Sequence, residues 1–402
     1  MYIHERENWT NFFWDNDKLS PILASVRHLQ GRLLGRMESL GFDFIERATL
    51  ESLILDVVDT SRIEGEFLNP ELVRSSIARK LGIENADFIK TPRNIEGIVD
   101  VILDATQNFD KPLSETRLLG WHHSLFQTGF SGYQQIDVAK YRSGGMKVVS
   151  GNFGREKIHF EAPSAGRVPH EMEQFLNWLN SDTSSDLVLK SIIAHFWFVT
   201  IHPFDDGNGR IARAILDMWL AKSDNSKIRF YSLSNQIFKE HKYYNSIIEE
   251  TQKGKSDITK YLEWFLGCFE RALIASEQNL EIILDKAHFW DRHKSTNINE
   301  RQRLVINYLY DNYSKEVGFL RTSTYAKLTK CSTDTALRDL QDLVAKEMLK
   351  ADDSGKKTNY VIVSPKNIRI PKINDEKTPA PNSDLANIMK TTILPQSLSS
   401  PD

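Results

Sequence analysis

His202 opens a run, His202-Pro203-Phe204-Asp205-Asp206-Gly207-Asn208-Gly209-Arg210-Ile211-Ala212-Arg213, whose residue types could move a proton and hold a phosphate chain. Leu187, Ile192, Ile193, Phe196 and Val199 recur at helical spacing, so a buried helix should run into His202. Pro203 disfavours helical geometry in the residue before it and should end that helix. Gly207 and Gly209 permit a tight turn with exposed N–H groups. Ile211, Ile215, Leu216 and Trp219 then predict a second helix from Arg210 to Leu220. A glycine-rich turn opening a helix attracts anions, because free N–H groups and the helix dipole both favour negative charge. Arg210 and Arg213 lie three apart, on one face, beside the same anion. Asp206 could hold a divalent cation that bridges phosphates. His202 could accept the proton of an attacking hydroxyl. Each feature alone is more often structural: a packed histidine, a plain turn, a solvated arginine face. Their order and spacing together point to chemistry.

The run resembles the Fic family motif HxFx(D/E)GNGRxxR, and every specified position matches. The resemblance implies a protein adenylyltransferase that moves AMP from ATP to a Ser, Thr or Tyr hydroxyl of a protein, with Mg2+. It implies His202 as general base, Asp206 as the Mg2+ ligand and Gly207 to Gly209 as the anion hole. Asn208 would lie near the α-phosphate. Arg210 and Arg213 would hold the outer phosphates, Arg213 that of the γ position.

The elements that must position this run lie on both sides of it. Leu50, Leu53, Ile54, Val57 and Val58 predict a helix from Ala48 to Ser61, ending in Thr60-Ser61-Arg62-Ile63-Glu64-Gly65. Gly65 is a good stop, and Thr60 and Glu64 share a face. This ending resembles the Fic inhibitory motif (S/T)xxxE(G/N), which implies that Thr60, Glu64 and Gly65 serve self-inhibition, Glu64 pairing with Arg213. Further upstream, Trp9, Phe12, Phe13 and Trp14 read as core, and Leu19, Ile22, Val26, Leu29, Leu33 and Met37 predict a helix up to Gly41. The stretch from Trp14-Asp15-Asn16 to Gly35-Arg36-Met37 is similar to a helical module that often precedes a Fic core. Asn69-Pro70-Glu71, Thr91-Pro92 and Ser114-Glu115 mark three more helix starts. His122 and His123 read as packed or capping side chains, with no further ligand at metal-binding spacing.

Tyr141 to Ala162 breaks the helical pattern: Gly144-Gly145, Val148-Val149, Ser150-Gly151, Gly154 and Ile158-His159-Phe160 read as a hairpin. In the Fic family a hairpin here, the flap, covers the nucleotide and registers the target segment, which makes Lys147, Val148 and Val149 docking candidates by position. Pro169 to Asn180 resumes helix. Ile228 to Thr251 reads as helical core; the resemblance implies that Tyr243 and Tyr244 help wall the adenine. Where the family has an Asn about two turns on, this chain has Thr251 and Gln252, a departure that leaves base specificity open. Asp257 to His293 is predicted as a long amphipathic helix or pair. Asn299 to Val363 has the order helix, Thr322–Leu328, a helix capped by Ser332-Thr333-Asp334, and a hairpin turning at Asp353-Ser354-Gly355. That order resembles a winged helix-turn-helix. Its second helix carries Thr333, Thr335 and Arg338 but also Asp334, Asp339 and Asp342, a charge mix that argues against strong phosphate binding. From Pro365 the chain reads as a disordered tail.

The expected fold is therefore mainly α: an N-terminal helical module with the inhibitory helix over 1–90, a Fic core with one hairpin over 91–293, a winged helix over 294–364 and a tail over 365–402. A hydrophobic fraction of 40% with 10% aromatics suits globular domains. A net charge of −3 supplies no global field toward nucleic acid or acidic membranes. Cys268 and Cys331 cannot make a disulfide framework or a cysteine zinc site. The polar opening residues carry no signal-peptide core, and no apolar run spans a bilayer, so the expectation is a soluble cytoplasmic protein without a membrane partner. ATP and a protein hydroxyl are the expected partners; self-modification, a homodimer and DNA stay open. The alternatives are a DNA- or partner-binding regulator using the winged helix, or a Fic variant that uses another nucleotide or removes AMP.

Overall fold

Every residue from Val188 to Ile201 is buried, and the rest of the N-terminal two-thirds of the chain is arranged about that segment. A helix apolar on all sides has no solvent face and becomes the centre of a bundle. The computed structural model describes all residues except 39–41, 84–88, 152–156, 182–184, 313–318, 353–357 and 364–402. In chain order the helices are α1 (Asn16–Glu38), α2 (Phe42–Ile63), α3 (Pro70–Leu81), α4 (Arg93–Gln107) and α5 (Glu115–Leu125). Two hairpins follow, β1 (Phe130–Ser131) with β2 (Gln134–Gln135), and β3 (Lys147–Ser150) with β4 (Lys157–Glu161). Then come α6 (Val168–Asn180), α7 (Leu187–Ile201), α8 (Asn208–Asp224), α9 (Leu233–Lys239), α10 (His241–Gln252) and α11 (Thr259–Arg292). The last elements are α12 (Glu300–Asp311), α13 (Thr322–Thr329), α14 (Thr333–Ala345), β5 (Leu349–Asp352) and β6 (Asn359–Ile362). The protein is mainly α-helical.

Two compact units divide the chain between Ile274 and Ala275, inside α11, whereas the sequence pattern suggested a boundary after residue 293. In the first unit α7 packs against α8, α6 and the opening aromatics. Trp9 and Phe12 set their rings on Trp197 and Phe196 of α7, at 6.0 and 5.7 Å. Phe13 departs from the expected core cluster and is 57% exposed. Its backbone bridges Asp257, and side chains alternate along an extended segment, so its ring points outward. Leu19, Val26, Leu29, Leu33 and Met37 bury one stripe of α1.

Helix α2 begins earlier and ends later than its apolar spacing predicts, and Gly65 follows it with φ +81°. Asn69 caps α3 by accepting from the Glu71 N–H at 2.9 Å, and Ser114 caps α5 by accepting from the Arg117 N–H at 3.1 Å. A buried ionic cluster fastens α2 to α8. Arg229 lies 2.6 Å from Asp217 of α8 and 3.8 Å from Asp56 of α2, and the Ser232 hydroxyl donates to Asp56 at 2.6 Å. Burial pushes the Asp56 carboxyl up, with Arg229 opposing it and the Asp217 charge adding to it.

The expected single helical stretch from Ile228 to Thr251 is two helices. Ser232 caps α9, and Glu240, held by Arg271 at 2.6 and 2.7 Å, marks the joint before α10. β3 and β4 are antiparallel with an irregularity between Val148 and Val149. Gly154 lies outside the described residues.

In the second unit, Val305, Ile306, Leu309, Leu340, Leu343, Met348 and Tyr360 form the core. Leu320 bridges Tyr360, adding a third short edge to the β5–β6 pair. Asp339 of α14 faces inward rather than outward: it accepts from Arg301 Nε at 2.9 Å and Tyr325 Oη at 2.8 Å. The turn Asp353-Ser354-Gly355 and the tail from Pro365 lie outside the described residues. Among the described residues no helix is long and apolar enough to cross a membrane.

Candidate active site

The chain leaves α7 through His202, which adopts the left-handed region at φ 53°, ψ 60°. Pro203 cannot continue the helix, and Gly207, at φ +81°, turns the chain into α8. A Cβ on Gly207 would also stand 2.8 Å from Phe126. Gly209 is glycine for a different reason than turn formation. It already lies in the first turn of α8, and a Cβ there would meet Glu64 Oε1 at 2.2 Å and Arg213 Nη1 at 3.1 Å. The first N–H groups of α8 have no acceptor within the helix and face the turn, which is the geometry of an anion site.

Asn208 braces this turn from inside. Its Oδ1 accepts from the Phe204 N–H at 3.0 Å and its Nδ2 donates to the Phe204 carbonyl at 2.8 Å, with the residue 2% exposed. Its side chain is thus spent on the loop, leaving its backbone N–H to face an anion. The Phe204 ring stacks on His122 at 4.1 Å. His122 Nδ1 accepts from the Ala139 N–H at 3.0 Å, so Nε2 carries the proton and donates to the Asp206 carbonyl at 3.3 Å. Burial pushes His122 down to about 4, which keeps this tautomer neutral. The Asp206 carboxylate accepts from its neighbour's Gly207 N–H at 2.5 Å and from the Ser131 hydroxyl of β1. Asp205 accepts from the Asp137 N–H at 3.1 Å.

Both motif arginines are occupied by carboxylates from the segment after α2. Arg213, 1% exposed, donates through Nη2 to Glu64 Oε1 at 2.7 Å and to the Thr60 carbonyl at 2.9 Å, and through Nε to Thr60 Oγ1 at 2.7 Å. The Thr60 carbonyl sits at the negative end of α2, which suits a cation. Burial pulls the Arg213 pKa down, but Glu64 and Tyr244 outweigh it and hold the group above its usual range. Arg210 lies 3.2 Å from Glu66 and 3.9 Å from Asp206, with its guanidinium 5.0 Å from the Phe126 ring centroid. Glu66 is itself oriented by Asn94 Nδ2 at 2.7 Å.

His202 is half-buried as a residue, yet its Nε2 is shut from solvent and has no hydrogen-bond partner. Nδ1 lies 3.3 Å from the Val199 carbonyl and donates to it, which leaves the lone pair on Nε2. Burial pushes the ring down to about 4, with the Arg142 charge adding to it and the Val199 carbonyl, Glu64 and Asp206 opposing it. At neutral pH the ring is therefore an unprotonated base.

The remaining candidates divide. Tyr244 is 4% exposed, its hydroxyl within 2.9 Å of His195 Nε2 and 3.5 Å of Arg213 Nη1, whereas Tyr243 is 71% exposed. They do not form one wall: Tyr244 backs Arg213, because adjacent helix positions face different sides. Gln252 is buried against Thr200 and Val199 at the end of α7. Lys147 pairs with Glu161 at 3.7 Å, Val149 is buried and Val148 half-buried. Among the described residues β4 is the one strand paired with β3. His159 of β4 reaches Glu249 of α10 at 2.7 Å.

Sequence spacing pointed to none of the residues between 131 and 142 that hold the turn after His202. Ser131, Asp137, Ala139 and Arg142 each contact it or its His122 support. They belong to no motif, and only the fold brings them there.

Residues 112–220 match the Fic/DOC family, and residues 2–83 match a domain of unknown function, DUF4172. A probable protein adenylyltransferase of Aquifex aeolicus is 30% identical over 222 residues, 54% of this chain and 59% of that one. The protein adenylyltransferase Fic of Culex quinquefasciatus is 30% identical over 264 residues, 64% of this chain and 46% of that one. The matches thus take in less than two-thirds of the length of these curated relatives. A Fic family protein from Desulfovibrio desulfuricans shares the fold, with a TM-score of 0.51 at 20% identity over 86% of this chain and 95% of that one. Domain match, named relatives and shared fold agree, and residues 112–220 of this chain are a Fic domain.

Proposed function

We propose that this protein is a self-inhibited protein adenylyltransferase that transfers AMP from ATP to a Ser, Thr or Tyr hydroxyl of a protein. The observation that carries the reading is the pairing of a neutral, unpartnered His202 Nε2 with an anion turn whose Arg213 is held by Glu64 at 2.7 Å. In the reaction the acceptor oxygen attacks the α-phosphorus, a new P–O bond forms, and the bond to pyrophosphate breaks. The hydroxyl proton goes to His202 Nε2 and pyrophosphate leaves. The N–H groups of Asn208 and Gly209 bind the α-phosphate, and Arg210 and Arg213 bind the outer phosphates. Tyr243 is free to lie beside the base, while Tyr244 sets Arg213.

The residues fit a Mg2+ ion that arrives with the nucleotide. Among the described residues no group of three His, Cys, Asp or Glu could hold an ion alone, but one carboxylate, Asp206, stands beside the anion turn. Mg2+ is commonly held by one or two carboxylates plus substrate phosphates, and it would neutralise charge on the leaving pyrophosphate. The edge of β3 away from β4, at Lys147 to Val149, has no strand partner among the described residues and is suited to pairing with an extended target segment.

Glu64 inhibits by competition. Its carboxylate fills the guanidinium face that a γ-phosphate would need, and like charges repel there. Thr60 holds Arg213 in that pose, Gly65 ends α2 so that Glu64 can reach, and Glu66 occupies Arg210 in the same way. The second unit is read as a winged helix-turn-helix, with α13 and α14 as the helix pair and β5–β6 as the wing.

The test uses ATP labelled at either the α- or the γ-phosphorus, with the Glu64→Gly protein. Label incorporated from the α position alone supports AMP transfer. Incorporation from the γ position would contradict it and indicate phosphoryl transfer.

A further inference from the structure

The flap and the catalytic turn share one buried cation. Arg142, 2% exposed, makes five hydrogen bonds, every one to a backbone carbonyl. Nε donates to the His202 carbonyl at 2.7 Å, and its own backbone N–H donates to Pro203 at 2.9 Å. Nη2 reaches Ile201 at 3.4 Å and Pro163 at 2.5 Å, and Nη1 reaches Gly144 at 2.8 Å. Gly144 and Pro163 are the two stems of the β3–β4 hairpin, just outside the Ala162 to Met146 hydrogen bond that closes it. Ile201, His202 and Pro203 are the exit of α7.

We propose that Arg142 is a positioning residue for the transfer reaction, tying both stems of the flap to the segment that carries His202 so that the docked hydroxyl and the base stay in register. The inference rests on the adenylyltransferase reading for its kinetic consequence, but the tether itself does not. A buried guanidinium satisfied by carbonyls alone is costly to desolvate, and an apolar side chain would fill the space with less penalty. What the cation provides is geometry: a rigid planar fork reaches four carbonyls at once, which a lysine ammonium on a flexible stem cannot do. The need for a clamp is visible at His202, whose φ of 53° is uncommon for a residue with a Cβ. Its carbonyl must be held for its ring to keep one direction. Burial lowers the Arg142 pKa to about 10, with Asp205 opposing, so the fork remains charged at neutral pH.

The experiment compares the Glu64→Gly protein with Glu64→Gly/Arg142→Lys, using a His202→Ala copy of this chain as acceptor and α-labelled ATP. Two quantities are read: transfer kinetics and amide hydrogen exchange. A displacement of about 1 Å at a reacting group costs on the order of 100-fold, so the lysine variant should lose at least about tenfold in kcat/KM for the acceptor. ATP affinity should be unchanged, because its contacts lie in the turn and α8. Exchange should quicken together in β3, β4 and residues 201–203, while α8 keeps its protection. A purely structural role would instead lower ATP affinity and loosen α8 as well, which would overturn the proposal. Unchanged exchange in the flap and at 201–203 would overturn it equally. If the Glu64→Gly parent itself transfers no AMP, the functional reading fails and the exchange pattern alone decides the tether. Should the lysine variant lack a cooperative thermal transition, Arg142→Gln is measured in the same way. If neither folds, Arg142 is a residue of the fold and the proposal is wrong.

Discussion

At the residue scale the account depends on which groups carry charge and which are spent. His202 is neutral and unpartnered at Nε2, so removing it should stop proton acceptance without touching phosphate contacts. His202→Ala in the Glu64→Gly protein should lower turnover by roughly 10²- to 10⁴-fold with ATP affinity preserved, as read by calorimetry beside label incorporation. A parallel loss of affinity would assign the ring a structural role. Protonation gives a second check. His122, His195 and His202 are pushed down to about 4, 3 and 4 by burial. A lowered pKa means that a ring stays neutral as pH falls and takes its proton only near the lowered value. Ring nitrogen shifts in histidine-labelled protein should therefore show these three neutral at pH 5.5; midpoints near the ordinary value of about 6.5 would contradict the burial argument. Glu66 supplies a smaller effect. Its pair with Arg210 is part-exposed, and such pairs are worth at most about 1 kcal/mol. Glu66→Ala added to Glu64→Gly should raise turnover by no more than about fivefold, whereas a decrease would make Glu66 a helper rather than a second inhibitor.

At the element scale, α2 has to sit firmly on α8 for Glu64 to reach Arg213. The buried cluster of Asp56, Arg229 and Asp217 supplies that attachment, eight residues before Glu64 on one helix and four after Arg213 on the other. Removing the cation that both buried carboxylates share leaves them uncompensated, so Arg229→Gln should lose about 3–5 kcal/mol of stability in chemical denaturation. A variant as stable as the parent would show that the cluster does not fasten the helices. The elements differ in how far sequence reveals them. α7 was legible because an apolar run ending at a proline has few alternatives, and α3 and α5 because Asn69 and Ser114 are caps with a local mechanism. The length of α2 was not legible, since its first turn and a half, Phe42 to Arg47, and its end at Arg62-Ile63 lie outside the apolar period set by Leu50 to Val58. The α9–α10 joint is set by Glu240 and Arg271, partners far apart in sequence. At the site, the order and spacing of the motif residues brought them forward together, and the structure gathers them around one turn. The bracing by Ser131, Asp137 and Arg142 was not legible, because carbonyl and carboxylate contacts to a distant loop leave no periodic trace. Likewise the reason for Gly209 is Glu64, a contact no local rule contains.

At the scale of the whole molecule, the turn from His202 to Gly209, the β3–β4 hairpin and the segment carrying Glu64 all belong to the first compact unit, upstream of Ala275. The second unit has its own core around Val305, Leu340 and Tyr360. Removal of Asn299 to Asp402, which leaves α11 whole, should therefore leave transfer by the Glu64→Gly protein largely unchanged. Loss of transfer in a truncated protein that still unfolds cooperatively would make the second unit part of the catalytic machinery. The central claim, however, is that one carboxylate holds one guanidinium and so keeps a competent site idle. The measurement that tests it most directly is incorporation from α-labelled ATP by wild type, Glu64→Gly and Glu64→Gly/His202→Ala at matched protein and Mg2+. The account predicts a gain of about tenfold or more for Glu64→Gly, equivalent to about 1.4 kcal/mol on the barrier, and a return to inactivity in the double variant. A folded Glu64→Gly protein with no gain, or a gain that survives the loss of His202, would contradict it.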